Sequence, residues 1–258
     1  MAIWDTGGAD VLDLTGYSRP SFVSLEPGDF SSVDGLDDNI AIAYGTWIED
    51  AFGGSGNDTI SGNEKPNYLR GGAGGDTLSG LDGEDTLAGQ DGDDILNGGS
   101  GTDWADHREA PSGIAINIGG GWANDGHGDT DTLVSIEGVL GSAFGDSLIG
   151  GGGEDFLYGF GGNDTFIGGV GWDWFYGDEG DDLADYSLAP DTVVVRLAPG
   201  EYTYDGEGGY GEPAWGFDRL ISIERAYGSA HNDTLVGSAG GRVPLRPGRR
   251  RRAHRRGR

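Results

Sequence analysis

Residues 71–105 read GGAGGDTLSGLDGEDTLAGQDGDDILNGGSGTDWA, and in this stretch glycine and aspartate recur every nine residues. Each unit opens with glycine, carries aspartate five residues later, and places an apolar residue two positions after the aspartate. The unit is therefore G-G-x-G-x-D-x-U-x, where U is a large apolar residue. Self-similarity at a short fixed period is typical of a solenoid whose coils stack on one another.

The same unit covers residues 53–105 and 141–185, and it starts again at Gly228 before it stops after Gly241. A flexible glycine-rich linker would have no reason to keep an apolar residue in phase with aspartate over eleven copies. The residues at the aspartate position are Asp58, Asn67, Asp76, Asp85, Asp94 and Asp103, then Asp146, Asp155, Asp164, Asp173 and Asp182, and finally Asp233.

A longer period of about 88 residues divides the chain, because an Ile-Glu step precedes each block by five residues at Ile48-Glu49, Ile136-Glu137 and Ile223-Glu224. We expect seven segments: a lead segment 1–52, a first repeat block 53–105, an insert 106–140, a second block 141–185, an insert 186–227, a truncated third block 228–241, and a basic, disordered tail 242–258. Both inserts are expected to be rich in strands.

Composition indicates that this chain cannot fold by an apolar core alone. It contains 54 glycines and no cysteine, and 44 acidic residues outnumber 16 lysines and arginines. Nine of those sixteen basic residues lie within 242–258, so residues 1–241 carry about 7 − 44 = −37 charges. Such a charge normally opposes compaction. A bound multivalent cation would reverse that effect.

The repeat predicts the position of such a cation. Each nonapeptide splits into a six-residue turn and a three-residue strand whose central side chain faces inward. Two nonapeptides make one coil of eighteen residues, so Asp58, Asp76 and Asp94 stack on one edge, and Asn67, Asp85 and Asp103 stack on the other. Carboxylates about 5 Å apart repel by roughly 3 kcal/mol at an effective dielectric constant of 20. Ca²⁺ between the turns would turn this repulsion into attraction, since it favours six to eight oxygen ligands.

Other metals suit these turns less well. Mg²⁺ requires strict octahedral geometry and retains its water, and zinc would require histidine or cysteine ligands that the repeats lack. We therefore expect several Ca²⁺ ions and no zinc. The fold class predicted is all-β, with calcium-stacked parallel β-roll (β-solenoid) blocks joined by strand-rich inserts.

The nonapeptide resembles the calcium-binding repeat of RTX proteins. The stretches IWDTGGADVLDLTGYS, VSLEPGDFSSVDGL and WIEDAFGGSGNDTISGN, within residues 3–63, resemble the start of the C-terminal domain of serralysin-type secreted zinc metalloproteases. This resemblance implies one calcium site outside the regular roll, formed by Asp5, Gly7, Gly8, Asp10, the Trp47 carbonyl and Glu49.

The resemblance also implies regular sites at the second, fourth and sixth positions of the nonapeptides. Besides the aspartates given above, the expected ligands are Gly54, Gly56, Asn63, Asn67, Gly72, Gly74, Asp82, Gly83, Gly92, Gly99, Gly101, Glu137, Gly151, Gly153, Gly162, Gly169, Gly171 and Gly180. Some turns depart from the pattern. Lys65 and Asn67 replace glycine and aspartate in one turn, and Phe144 and His231 replace glycine in two others, so we expect weaker or empty sites there.

No catalytic constellation is apparent. A zinc protease of this type needs H-E-x-x-H, whereas the histidines lie at positions 107, 127, 231 and 254. Met1 corresponds to a point after the protease domain of a serralysin, so we expect a non-enzymatic, calcium-dependent folding and secretion module that is extracellular and monomeric. Two alternatives are a surface adhesion protein and a fragment of a secreted metalloprotease or polysaccharide-modifying enzyme.

Two further features bear on partners. The second block is rich in aromatic residues, for which strand preference is favoured over a carbohydrate or protein contact surface. The tail RVPLRPGRRRRAHRRGR does not resemble the C-terminal export signal of RTX proteins, which puts export of this chain in doubt. We expect calcium as the main partner, with type I secretion machinery as a further one and no nucleic-acid or membrane partner.

Overall fold

The computed structural model describes residues 1–5, 7–197 and 216–237, together with the backbone of 202–204 and 252–254. These residues form strands and turns, and none of them lies in a helix that could cross a membrane. The predicted all-β class is confirmed. The chain divides into unit 1, residues 1–111 and 121–139, and unit 2, residues 112–120 and 140–258. The insert 106–140 is thus shared between the two units.

Unit 1 contains fifteen of the strands. They are β1 (Ala2–Ile3), β2 (Val11–Asp13), β3 (Phe22–Ser24), β4 (Phe30–Ser31), β5 (Ile40–Ile42), β6 (Asp50–Phe52), β7 (Thr59–Ser61), β8 (Tyr68–Ala73), β9 (Thr77–Asp82), β10 (Thr86–Asp91), β11 (Ile95–Ser100), β12 (Trp104–Asp106), β14 (Trp122–Asn124), β15 (Thr130–Val134) and β16 (Gly138–Leu140), whose last residue falls in unit 2.

Two mostly parallel sheets make up the body of unit 1. One has the order β2-β6-β8-β10-β12, and the other has the order β14-β15-β11-β9-β7-β3. Tyr68 pairs with Thr86 and Thr77 pairs with Ile95, so neighbouring strands of one sheet are eighteen residues apart. This spacing confirms the predicted two-nonapeptide coil. The strands β8 to β11 have six residues rather than the expected three, because pairing continues into the first half of each turn.

Unit 2 contains the remaining strands, beginning with β13 from the insert. They are β13 (Ala115–Asn117), β17 (Ser147–Ile149), β18 (Gly152–Gly153), β19 (Phe156–Tyr158), β20 (Thr165–Ile167), β21 (Val170–Gly171), β22 (Trp174–Tyr176), β23 (Leu183–Asp185), β24 (Val194–Arg196), β25 (Tyr202–Tyr204), β26 (Phe217–Ile221), β27 (Arg225–Tyr227), β28 (Thr234–Val236) and β29 (Arg252–His254). Most of the basic tail lies outside the described residues, and β29 pairs in parallel with β28.

Parallel pairing at eighteen-residue spacing also joins the repeat strands of unit 2. One sheet runs β13-β17-β20-β23-β27, and the other begins β19-β22-β26 before it continues through antiparallel β25 and β24 to β28 and β29. Ser147 pairs with Thr165 and Phe156 pairs with Trp174. The second repeat block therefore coils as the first does.

The apolar core is a thin column along the axis of each coil. The U residues face inward and are fully buried, at 0% exposure. They are Ile60, Leu69, Leu78, Leu87, Leu96 and Ala105 in unit 1, and Leu148, Leu157, Phe166, Phe175 and Ala184 in unit 2. Each nonapeptide thus contributes one inward side chain, worth about 1.5–3 kcal/mol when it is as large as leucine or phenylalanine. The turns on either edge have to supply the rest of the stability.

Candidate metal sites

Carboxylates stack along one edge of unit 1 and join its successive turns. The Asp76 Oδ1 atom accepts the backbone N–H of Asp58 at 2.7 Å, and Asp94 Oδ1 accepts that of Asp76 at 2.7 Å. Asp58 Oδ1 in turn accepts the N–H of Ser21 from the lead segment, at 2.6 Å. We call this stack the first ladder. It has the predicted eighteen-residue interval.

The opposite edge carries a second ladder with the same interval. Asp85 Oδ1 accepts the N–H of Asn67, and Asp103 Oδ1 accepts that of Asp85, both at 2.8 Å. The ladder ends when Glu137 Oε2 accepts the N–H of Asp103 at 3.0 Å. Glu137, the glutamate of the second Ile-Glu step, therefore caps the C-terminal end of this ladder.

Unit 2 repeats both ladders. On one edge Asp164 Oδ1 accepts the N–H of Asp146, and Asp182 Oδ1 accepts that of Asp164, both at 2.8 Å. Glu224 Oε2 then accepts the N–H of Asp182 at 3.0 Å. On the other edge Asp173 accepts the N–H of Asp155 at 3.1 Å. Glu224 thus plays the same capping role that Glu137 plays in unit 1.

Most of these aspartates keep one carboxylate oxygen free although the side chain is buried. Oδ1 is bonded as described, whereas Oδ2 is shielded from solvent and has no hydrogen-bond partner in the part of the chain that the structure describes. The ladder residues with such an atom are Asp76, Asp85, Asp94, Asp103, Asp164 and Asp182. Buried polar atoms are nearly always paired, so a regular series of such oxygens fits a positive ligand held between the turns.

Electrostatics supports the same conclusion. Burial raises the pKa of Asp76 and Asp94 to about 7 and that of Asp85 to about 6, and neighbouring aspartates add to each rise. The pKa values of Asp103, Asp146 and Asp182 rise for the same first cause. A cation between the turns would remove the cost of keeping these groups charged.

Glycines allow the backbone carbonyls of adjacent turns to come close together. A Cβ atom at Gly72 would collide with the Gly54 carbonyl oxygen, and one at Gly92 would collide with that of Gly74. Positive φ angles are also required at these positions. Among the predicted glycine ligands they occur at Gly72, Gly74, Gly83, Gly92, Gly99, Gly101, Gly153, Gly162, Gly169 and Gly171. The predicted Gly54, Gly56 and Gly180 also lie too close to backbone atoms of Tyr17, Arg19 and Gly162 to accept a Cβ, whereas Gly151 is less crowded.

The residues present fit a hard cation. Carboxylate and carbonyl oxygens are the ligands that Ca²⁺ prefers, and the turns offer both in a cage of adaptable size. In the described ranges no three Asp, Glu or His side chains form a group that could hold a metal by themselves. Backbone carbonyls must therefore supply many of the ligands.

In the three turns that differ from the nonapeptide pattern, other protein groups bond to the polar side chains. Asn63 and Asn67 use their amide groups as donors, to the Ile48 carbonyl at 2.8 Å and to the Glu49 carbonyl at 2.9 Å respectively. In the turn with Phe144, both Asp146 oxygens are bonded by Ser142, through its hydroxyl and its N–H at 2.7 Å each. Ser229 bonds Asp233 with its hydroxyl in the turn of His231.

The predicted lead-segment site also brings its acidic residues together. Glu49 Oε2 accepts the N–H of Asp10 at 2.9 Å, and Asp5 Oδ2 accepts that of Gly7 at 2.6 Å. The pKa of Asp10 is raised by burial and then by Asp5 and Glu49. Gly7 and Gly8 both have positive φ, and Trp47 lies beneath the ammonium group of Lys65.

Sequence reasoning missed several acidic residues. Asp131 accepts the N–H of Asp94 at 3.0 Å, and Asp218 accepts that of Asp173 at 3.2 Å, so residues from the inserts prolong the ladders. A signal was present, because Asp131-Thr132-Leu133 and Asp218-Arg219-Leu220 repeat the D-x-U triplet without its glycines. The predicted Asp82 differs from these residues, since it is exposed at the end of β9 and belongs to neither ladder.

The aromatic residues of the second block form stacks along the sheet. Tyr158 and Tyr176 are parallel with ring centroids 4.0 Å apart, and Phe156 stacks on Trp174 at 6.1 Å. The guanidinium group of Arg219 lies 4.8 Å from the centroid of the Trp174 ring. The stacked ring faces contact one another along the sheet. This arrangement favours a structural role.

Comparisons with known proteins agree with this geometry. Residues 1–118 match the family model described as Peptidase M10 serralysin C terminal. Residues 140–171, 161–184 and 225–241 match the model of the RTX calcium-binding nonapeptide repeat. The chain therefore contains RTX calcium-binding repeats and a segment of the serralysin C-terminal type, and both predicted resemblances are confirmed.

Similar proteins match a short part of the chain. Metallopeptidase AprA of Pseudomonas marginalis is 44% identical over 70 residues, which are 27% of this chain and 15% of that protein. Serralysin of Photorhabdus laumondii is 47% identical over 67 residues, 26% of this chain and 14% of that protein. Serralysin C of Dickeya chrysanthemi is 50% identical over 60 residues, 23% and 12% respectively.

A solved structure, that of extracellular lipase LipA from Serratia marcescens, covers 74% of this chain and 43% of its own. Its TM-score is 0.33 and its sequence identity 20%, a likeness too weak to bear on the fold.

Proposed function

We propose that this chain, with its RTX calcium-binding repeats beside a segment of the serralysin C-terminal type, is a calcium-dependent folding module of an extracellular serralysin-like protein. The module is unfolded at low cytosolic calcium. It orders at the roughly 10⁻⁴ to 10⁻³ M calcium typical of extracellular modules. It is monomeric, holds several Ca²⁺ ions and no zinc, and is not itself an enzyme.

One observation carries this proposal: the ladders of buried aspartates with one bonded and one free carboxylate oxygen. Such a stack opposes folding in the absence of cations, because each carboxylate is removed from water beside others of the same sign. A divalent ion that binds the folded turns and not the open chain stabilises folding through its binding free energy. Folding and calcium binding are then a single event.

The proposal extends to the biological role of the module. A chain that remains unfolded inside the cell suits export by a type I secretion machinery, and folding outside would hold an attached enzyme in an active arrangement. The match of residues 1–118 to the serralysin C-terminal model supports this setting. The ligands of the regular sites are the second-, fourth- and sixth-position residues of the nonapeptides, and those of the lead site are Asp5, Gly7, Gly8, Asp10, the Trp47 carbonyl and Glu49.

Circular dichroism of the full chain during a CaCl₂ titration tests the proposal, with MgCl₂ as the matched control. We expect a cooperative gain of β signal with calcium and little gain with magnesium. A β signal that is already complete in EDTA, or one that magnesium produces equally well, would contradict coupled folding. Metal analysis of the purified protein then counts calcium and zinc.

A further inference from the structure

Asp131 stands outside the nonapeptide series, yet it occupies the next position of the first ladder. Strand β15 pairs in parallel with β11, and Thr132 lies opposite Ile95. Asp94 therefore donates its N–H to Asp131 Oδ1 at 3.0 Å, as Asp76 donates to Asp94. The interval is 37 residues instead of eighteen, because the chain makes a detour between the two coils.

The environment of Asp131 has the features of the regular turns. Asp94 and Asp131 are each 1% exposed, and the Oδ2 atom of each is buried without a partner. Asp125 is also 1% exposed. Its Oδ1 accepts the N–H of His127 at 3.0 Å, and its Oδ2 is buried and free. Three buried carboxylate oxygens without a partner thus occur in one region.

The charge of this region is not balanced by the protein. Burial raises the pKa of Asp131 to about 8, with further contributions from Asp94, Asp125 and Asp93. Asp125 directly follows β14, whose residue Ala123 lies opposite Asp131, so the β14–β15 hairpin places Asp125 close to Asp131 and its partner Asp94. No described lysine or arginine pairs with Asp94, Asp125 or Asp131. Protonation at lower pH, or a cation from solution, would neutralise them.

We propose that Asp94 and Asp131 hold a further divalent cation of the Ca²⁺ class, one coil beyond the nonapeptide 89–97, with Asp125 adding negative charge beside it. This site deepens the proposed function and rests on it. Neither family model matches residues 119–139, so the site falls outside the assigned repeats. Turn carbonyls and water complete the coordination, as hard cations accept.

Native mass spectrometry of the full chain in saturating calcium tests the proposal by counting bound ions. The substitution Asp131→Asn keeps an Oδ1 atom that can accept the Asp94 N–H, and it removes the negative charge of the side chain. We expect this variant to bind one ion fewer than the wild-type chain. Asp37→Asn, which removes the same charge at an exposed loop position, should bind the full number. If Asp131→Asn binds as many ions as the wild-type chain and folds at the same calcium concentration, the proposed site is wrong.

A second variant decides the matter if Asp131→Asn does not fold in calcium. Asp125→Asn keeps the local hydrogen-bond acceptor and removes only the neighbouring charge. We expect one ion to bind at least about threefold more weakly by calorimetry, with the others unchanged. Unchanged affinity for every ion overturns the proposal. A wild-type chain that does not fold with calcium at all would instead refute the proposed function, so the two failures are distinguishable.

Discussion

Asp76 is the position at which calcium-dependent stability should be most sensitive to a single charge. It lies in the middle of the first ladder, where it accepts the N–H of Asp58 and donates its own to Asp94. Its second carboxylate oxygen is buried and free. The substitution Asp76→Asn keeps the acceptor oxygen and removes the charge. It therefore separates the metal-binding role of this side chain from its hydrogen bond.

The expected effect has opposite signs with and without calcium. Two inter-turn sites adjoin Asp76, and an ion present at about 100 times its dissociation constant stabilises folding by about 2.7 kcal/mol. Loss of both ions would cost about 5 kcal/mol. Without calcium, removal of one of two charges about 5 Å apart relieves up to about 3 kcal/mol of repulsion at high pH. Partial protonation reduces this gain near neutral pH.

Urea unfolding followed by circular dichroism, in about 10 mM calcium and again in EDTA near pH 8, provides the assay. We expect Asp76→Asn to be less stable than the wild-type chain in calcium, and equally or more ordered than it in EDTA. Leu78→Ala is the matched control for packing, because Leu78 is fully buried in the adjacent strand. It should lose about 2–5 kcal/mol in calcium and should not gain order in EDTA.

Equal destabilisation of Asp76→Asn in calcium and in EDTA would refute the reasoning. The aspartate would then act through its hydrogen bond and shape alone. An unchanged calcium midpoint would refute it as well, since a ladder carboxylate that binds no ion cannot alter the calcium dependence of folding.

Two further predictions concern protons and backbone strain. Because the folded-state pKa values of Asp76, Asp94 and Asp131 are raised to about 7, 7 and 8, their protonation favours the calcium-free fold at acidic pH, and this stability is lost as pH rises through about 6–8. In EDTA the β signal should therefore be stronger near pH 5 than near pH 8, and an opposite trend by circular dichroism would contradict the shifts. Leu81 has a φ of 79° at the second position of its turn, where Gly72 and Gly99 have positive φ in theirs. Leu81→Gly should therefore raise the stability in calcium by about 1 kcal/mol while Leu81→Ala should not, and thermal unfolding measures both.

The periodic part of the molecule could be predicted from the sequence, because each nonapeptide repeats the same local rule. Phase alone predicted the inward position of Leu78 and the stacking of Asp76 on Asp94, since both follow from an eighteen-residue coil. Asp131 and Asp218 were not predicted. The chain detours by 37 and 45 residues before it reaches these positions, and no fixed period connects them to the repeats.

Local substitutions were harder to interpret because their effect depends on tertiary partners. The sequence identifies Asn67 as a departure from aspartate, but only the structure reveals that its amide binds the Glu49 carbonyl of the lead segment. Likewise, Ser142 occupies a glycine position, and the structure places its hydroxyl on Asp146. The Ser142 N–H also bonds Asp146 Oδ2, so both oxygens of this aspartate have partners within the protein.

The ladders also govern how such a chain can change in length. In each ladder the N–H of an aspartate is accepted by the carboxylate one coil further along. The last such bond of the second ladder is accepted by Glu137. A duplication of eighteen residues would add one whole coil, lengthen the column by roughly 4.8 Å, and leave both ends with the partners they already have. A duplication of nine residues would preserve every local bond but turn the lead segment and Glu137 to opposite sides of the column. Growth in whole coils is therefore the only increment that keeps the relative orientation of the two ends.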